Sequence, residues 1–206
     1  MTFPDQPYDV IGAFADDYFD RAAGAAASVD RAALQAAADL LGATYAAGGT
    51  VFACGNGGSA AISNHLHCDH LKGAQTDTTL RPKVVSLSST IETITAIAND
   101  ISYDKVYVYQ LRTLAEAGDV LITISSSGDS ENIVRACGWA KENGVKTIAM
   151  TGFDGGRSAA AADINLHVDA DNYGVIEDVH QSLMHILAQY VRLSRMDAGL
   201  VPERKF

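Results

Sequence analysis

Apolar and polar positions divide the chain into two regimes. Residues 1–47 read as two Ala-rich helices, Val10 to Ala27 and Arg31 to Ala47, with Asp30 placed as N-cap of the second. From residue 48 onward, short apolar runs alternate with helical stretches. "GGTVFACGNGGSA" reads as a turn, a buried strand, a glycine loop and a helix start. "KVVSLSS" is a strand before a helix over Ile91–Ala98, and "DVLITISSSGDSENIVRACGWAKENG" is a strand, a Ser/Gly loop and a helix. "VKTIAMTGFDGG" and "DINLHVD" supply two more strands, and Val175 to Arg195 closes the chain as a long helix.

Strands alternating with helices predict βαβ units. The strands are continuous apolar runs, as expected when helices cover both faces of a parallel sheet. The predicted fold is therefore α/β, a doubly wound five-stranded parallel sheet. The N-terminal helices are too Ala-rich and apolar to stand alone, so they are expected to pack on the α/β unit or on another subunit. No Pro-, Gly- or Ser-rich linker divides the chain. A single domain over 1–206 is expected: helical segment 1–47, α/β core 48–196 and tail 197–206.

Composition narrows the partners. The chain has 206 residues and a net charge of −10, which argues against nucleic acid. No apolar run approaches the length that spans a bilayer. The first residues, "MTFPDQPYDV", lack the basic-then-apolar layout of a signal peptide, so a cytoplasmic protein is expected. Three cysteines, Cys54, Cys68 and Cys137, form no CxxC pair and read as reduced thiols.

Two loops have the composition of an anion site. "GNGGS" (Gly55 to Ser59) and "SSSGDS" (Ser125 to Ser130) each join a strand to a helix. Glycines permit close backbone approach, while hydroxyls and a helix N-terminus cradle phosphate without side-chain charge. Neither loop carries the Gly-Lys-Ser/Thr of a P-loop, and neither matches a dinucleotide fingerprint.

The stretch "NHLHCDHLKG" concentrates possible ligands. On a helix, His65 and Asp69 share a face. His67 and His70 lie about 200° and about 140° from His65 and read as surface or interface polar residues. Cys68 reads as a small buried residue. Partners for the His65–Asp69 pair must come from elsewhere, and the last helix carries Glu177, His180, Gln181 and His185. His65, Asp69, Glu177 and His185 would make a donor set of two imidazoles and two carboxylates acceptable to zinc.

"CGNGGSA", "AIAND", "ISSSGDSENIV", "AMTGFDGG" and "EDVHQSLMHIL", in this order, resemble the sugar isomerase (SIS) domain proteins, most closely the phosphoheptose isomerase branch. The resemblance covers Ala46 to Arg195, and the N-terminal helices fit it too. It implies a cytoplasmic homotetramer with active sites at subunit interfaces, often holding zinc, that converts sedoheptulose 7-phosphate to D-glycero-D-manno-heptose 7-phosphate. Asn56, Gly57, Gly58, Ser59, Asn99 and Asp100 would contact the substrate, together with Asp69 and Glu177. Ser125, Ser126, Ser127 and Ser130 would hold its phosphate. His65 and His185 match the first and last zinc histidines of the branch. Asp69 stands where the branch has glutamate, and Glu177 where it has glutamine. Ala74 and the Gly174–Val175 region replace expected arginine-bearing positions, which suggests altered contacts to the sugar.

Aldose–ketose isomerisation needs one group to take a carbon proton and another to shuttle hydroxyl protons. Asp69 and His185 are the candidates, with a divalent metal as Lewis acid. The rival expectation is a non-catalytic SIS protein that binds a sugar phosphate or a protein partner, and a third is an isomerase of another phosphosugar.

Overall fold

The computed structural model describes residues 3–206. Five strands, β1 (Thr50–Gly55), β2 (Lys83–Ser86), β3 (Val120–Ser125), β4 (Lys146–Thr151) and β5 (Ile164–His167), form one sheet in the order β2-β1-β3-β4-β5. Every neighbouring pair is parallel, with Val51 opposite Val120 and Ile122 opposite Ile148. After β1 the chain crosses to one edge, and after β2 it returns to build the other half. The switch point therefore falls between β1 and β3, where loops leaving the carboxyl ends diverge and open a crevice.

Alternate residues of each strand enter opposite cores. Val51, Ala53, Ile122, Ile124 and Met150 face one layer, whereas Phe52, Cys54 and Leu121 face the other. The first layer is built from α1 (Ile11–Ser28), α2 (Arg31–Ala47), α3 (Gly58–Cys68) and the long α8 (Tyr173–Leu193), through Ala37, Leu41, Ile62, Leu66, Leu183 and Leu187. The second contains α4 (Ile91–Asp100), α5 (Val106–Leu114) and α6 (Glu131–Glu142), through Ile97, Leu111 and Ile133. A short α7 (Gly156–Ala161) lies between β4 and β5. The N-terminal helices pack on the α/β unit of their own chain, α2 against β1, β5 and α8 and α1 against α8. No helix among the described residues is long and apolar enough to cross a membrane.

Local signals account for the helix ends that matter. The Asp30 carboxylate accepts from Ala32 N–H at 2.7 Å and starts α2, which stops at Gly48 with φ +78°. Asn172 accepts from Val175 N–H at 3.0 Å and caps α8. The uninterrupted helix expected through 64–73 instead changes at Asp69 into a π-helical turn, Asp69–Gly73. That turn carries His70 into the core, where its Nδ1 lies 2.8 Å from the Tyr45 hydroxyl. His70 is thus a buried residue with an internal partner, not the surface or interface residue expected. Cys68 also departs from expectation: it is exposed, because the apolar stripe of α3 runs through Ile62 and Leu66.

His180, buried on α8, places Nε2 3.2 Å from the Thr151 carbonyl at the end of β4. Burial pushes its pKa down from 6.5 to about 4, outweighing the Thr151 carbonyl, which favours the charged ring. The unfolded chain therefore takes up a proton that the folded chain refuses until about pH 4. Stability should be highest above pH 6.5 and fall as the pH drops across that window, by up to about 3 kcal/mol from this residue. His70, lowered to about 4 chiefly by burial, acts in the same direction. H180Q, which cannot charge, should remove roughly half of the fall in urea midpoint between pH 7 and pH 5. An unchanged fall in the variant would exclude His180 as its source.

Candidate active site

The glycine loop leaves β1 at the switch point, and its glycines meet three different demands. A Cβ at Gly55 would lie 2.6 Å from the backbone of Ser59, so only hydrogen lets the chain turn into α3. Gly57, with φ +54°, precedes α3 and faces open space. A Cβ at Gly58 would lie within 2.8 Å of both carboxylate oxygens of Glu177, which therefore rests against the start of α3. Ser59 is buried in the first turn of that helix.

Asn56 is locked rather than free. Its Oδ1 accepts from Tyr103 (2.9 Å), Tyr107 (3.0 Å) and Asn132 Nδ2 (2.9 Å), and its Nδ2 donates back to Asn132 Oδ1 at 2.9 Å. Asn132 belongs to the first turn of α6, so this amide pair ties the glycine loop to the serine loop. The Tyr107 hydroxyl shares its one hydrogen between Asn56 Oδ1 and the Gly55 carbonyl, to which Ser88 Oγ also donates. Burial pushes the Tyr107 phenol well above its usual range, which keeps it a donor. Ser88, Tyr103, Tyr107 and Asn132 carry no compositional signal in the sequence, since none lies within the glycine or serine loop itself.

The serine loop leaves β3 beside the glycine loop. Ser125 and Ser126 are buried, and Ser127 and Ser130 partly so. Ser125 Oγ accepts from Gly128 N–H at 3.2 Å. Ser126 Oγ has no hydrogen-bond partner among the described residues, and Ser130, ahead of α6, makes no side-chain cap. Gly128 has φ +62°, and a Cβ there would lie 1.9 Å from the Gly155 carbonyl oxygen, so the loops after β3 and β4 touch backbone to backbone. Arg157 is already engaged by Asp129 and, at 2.9 Å, by Glu131. The cradle thus consists of neutral hydroxyls, backbone N–H groups and the positive end of α6.

On the same side of the sheet as α3, α8 completes a polar centre. Asp69 Oδ2 lies 2.7 Å from His185 Nδ1, and Asp69 Oδ1 lies 3.4 Å from His65 Nε2. The two imidazoles meet edge to face with centroids 4.9 Å apart. Ligand atoms of His65, Asp69 and His185 all fall within 4.8 Å of one another. Side-chain exposures of 48%, 28% and 36% leave the three open to a ligand. Glu177 does not join them; it faces Gly58, and burial, followed by Asp178, raises its pKa. Gln181, which the sequence reading named without a role, reaches both imidazoles. His67 is half-buried outside this cluster. Asn99 and Asp100 are exposed at the end of α4 and bond to each other at 2.8 Å rather than to either loop.

An anion cradle at a switch point, beside a carboxylate–imidazole pair, can hold a phosphate ester and move protons on the carbons attached to it. Known proteins are similar to this chain in sequence and fold. The sequence profile of the SIS domain family matches residues 17–152. The phosphoheptose isomerase of Colwellia psychrerythraea is 37% identical over 179 residues, covering 85% of this chain and 86% of its own length. The structure of phosphoheptose isomerase from Neisseria gonorrhoeae superposes with a TM-score of 0.80 at 33% identity, over 88% of this chain and 96% of that one. The phosphoheptose isomerase from Francisella tularensis gives 0.82 at 29% identity, over 89% and 96%. This chain therefore belongs to the SIS domain family, in its phosphoheptose isomerase branch, and is a phosphosugar isomerase.

Proposed function

We propose that the enzyme interconverts sedoheptulose 7-phosphate and D-glycero-D-manno-heptose 7-phosphate through an enediol. The observation that carries this reading is the 2.7 Å contact between His185 Nδ1 and Asp69 Oδ2, on the helix layer that also abuts the glycine loop. The phosphate binds Ser125, Ser126, Ser127 and Ser130 at the start of α6, leaving C1 and C2 to face α3 and α8. Gly57 and Gly58 line the sugar, with Ser59 behind them and Asn56 fixing the loop. Glu177, over Gly58, faces the sugar hydroxyls, and Asn99 and Asp100 approach from the end of α4.

One member of the Asp69–His185 pair takes a proton from C1 of the ketose and returns it to C2. The other moves the hydroxyl proton from O1 to O2. The C1–H bond breaks, the C2–H bond forms, and no proton is gained or lost overall. Because the two groups share a hydrogen bond, each transfer leaves its partner ready to compensate the charge.

Two imidazoles and a carboxylate with ligand atoms within 4.8 Å of one another fit a divalent cation such as zinc. His65, Asp69 and His185 would hold it, and when bound it would supply Lewis-acid polarisation of the carbonyl. The homotetramer fits the apolar surface of α8, where Ile186, Tyr190 and Leu193 are each more than 40% exposed. Leu34 and Ala38 of α2 line a shallow groove beside Ile186 and Tyr190. A cytoplasmic location follows from the same reading.

H185Q should lower kcat by about 10²- to 10⁴-fold while Tm stays within a few degrees, read by NMR of the sugar anomeric signals. Full turnover by the variant would remove His185 from the chemistry. S126A should raise KM for the phosphosugar about tenfold with little change in kcat. If KM is unchanged, the phosphate does not use the buried hydroxyl. A wild-type protein that turns over no C6, C7 or C8 phosphosugar, yet is stabilised by one, would support the non-catalytic reading instead.

A further inference from the structure

Seven residues beyond His185, two turns along the same face of α8, lies Arg192. Its side chain is only 9% exposed, yet every guanidinium nitrogen has a partner. Nε donates to the Thr76 carbonyl at 3.1 Å, one terminal nitrogen to Asp77 Oδ2 at 2.9 Å and the other to the Lys205 carbonyl at 2.9 Å. The Phe206 ring covers the guanidinium at 4.6 Å. Burying a cation is unfavourable unless its donors are met, and the planar fork of arginine meets them here. Asp77, which it grips, has φ +57°, a left-handed conformation uncommon outside glycine.

Thr76 connects this clamp to Asp69. Its N–H and its hydroxyl donate to the carbonyls of Gly73 (3.1 Å) and Lys72 (2.8 Å), inside the π-helical turn Asp69–Gly73. That turn opens with the Asp69 carbonyl, which accepts from Ala74 N–H at 3.2 Å. The buried His70 and Ala74 fix the inner side of the turn. Toward α8 it leaves a cavity of about 320 Å³, lined by Asp69, Lys72, Thr76, Ala188 and Arg192. Across this space α8 grips the segment through His185, whose Nδ1 lies 2.7 Å from Asp69 Oδ2, and through Arg192 at the exit of the turn. An aspartate has only two side-chain torsions, so its oxygens go where its backbone carries them.

We propose that Arg192 is a positioning residue for proton transfer. By holding Thr76 and Asp77 to α8, it sets where the π-helical turn places Asp69 against His185. It acts through Asp69 and not on the substrate. The inference rests on the roles proposed above for Asp69 and His185, and it adds a residue those roles do not name.

The test is steady-state turnover of sedoheptulose 7-phosphate by wild type, R192M, D69N and the double variant R192M/D69N, with NMR over hours for the slow ones. Circular dichroism confirms that each is folded. R192M keeps the length of the side chain and removes its donors. It should lower kcat about 10- to 100-fold and leave KM within about twofold, since the phosphate cradle is untouched. Added to D69N, which is already slow, it should cost no more than about twofold further. R192K, which keeps the charge but not the planar fork, takes the place of R192M if the latter does not fold, and the same criteria apply to it. An unchanged kcat in the Arg192 variant, or a loss that multiplies with that of D69N, would overturn the assignment of Arg192 alone. Full turnover by D69N, or none by the wild type, would overturn the proton-transfer reading itself, and this inference with it.

Discussion

The packing of α3 against α8 on one face of the sheet is the contact on which the site depends. Ile62 and Leu66 of α3 share a core with Val179, Leu183, Met184 and Leu187 of α8. Helical periodicity then fixes what lies along the edge of that seam. His65 and Asp69 flank the apolar stripe of one helix, and Glu177, Gln181 and His185 recur at four-residue spacing along the other. The polar centre is thus the rim of an apolar contact, and its geometry is held by burial that the ligand never touches. The π-helical turn beginning at Asp69 marks where α3 stops following the seam and the chain turns inward at His70.

A second constraint is electrostatic. A chain of net charge −10 must attract an anionic substrate, and among the described residues the cradle offers it no free cation. Arg157, near the serine loop, is already engaged by Asp129 and Glu131. What remains is the parallel sheet, which places β1 next to β3 and so brings the start of α3 beside the start of α6. The Asn56–Asn132 amide pair locks these two helix starts together. Oriented backbone dipoles, buried hydroxyls and Gly57 in open space replace the basic side chains that a phosphate site often uses.

Much of this was legible in the sequence because it is local. All five strands were readable from their apolar residues, Asp30 as a cap and both loops as strand-to-helix turns. Helix α5 was not: "VYVYQ" has the β-branched and aromatic make-up of a strand, and its burial against the second core decides for helix. The spacing of His65 and Asp69 predicted their shared face, and the structure brings His185 to them. What spacing could not show is which neighbour a side chain finds across a tertiary contact. Tyr45 lies 25 residues before His70 and gives it a buried partner. Gln181 reaches His65, 116 residues away, only because α3 and α8 pack as they do. Glu177 shares a face with His185, yet the missing side chain at Gly58 gives its carboxylate a different seat.

Proton transfer by Asp69 and His185 is the step on which turnover depends. Its most direct measurement is NMR of the aldose formed from sedoheptulose 7-phosphate in D₂O. A base exposed enough to exchange its proton with solvent should leave deuterium at C2 of the product. Deuterium incorporation that continues at the wild-type rate in D69N and H185Q would contradict the assignment of this pair.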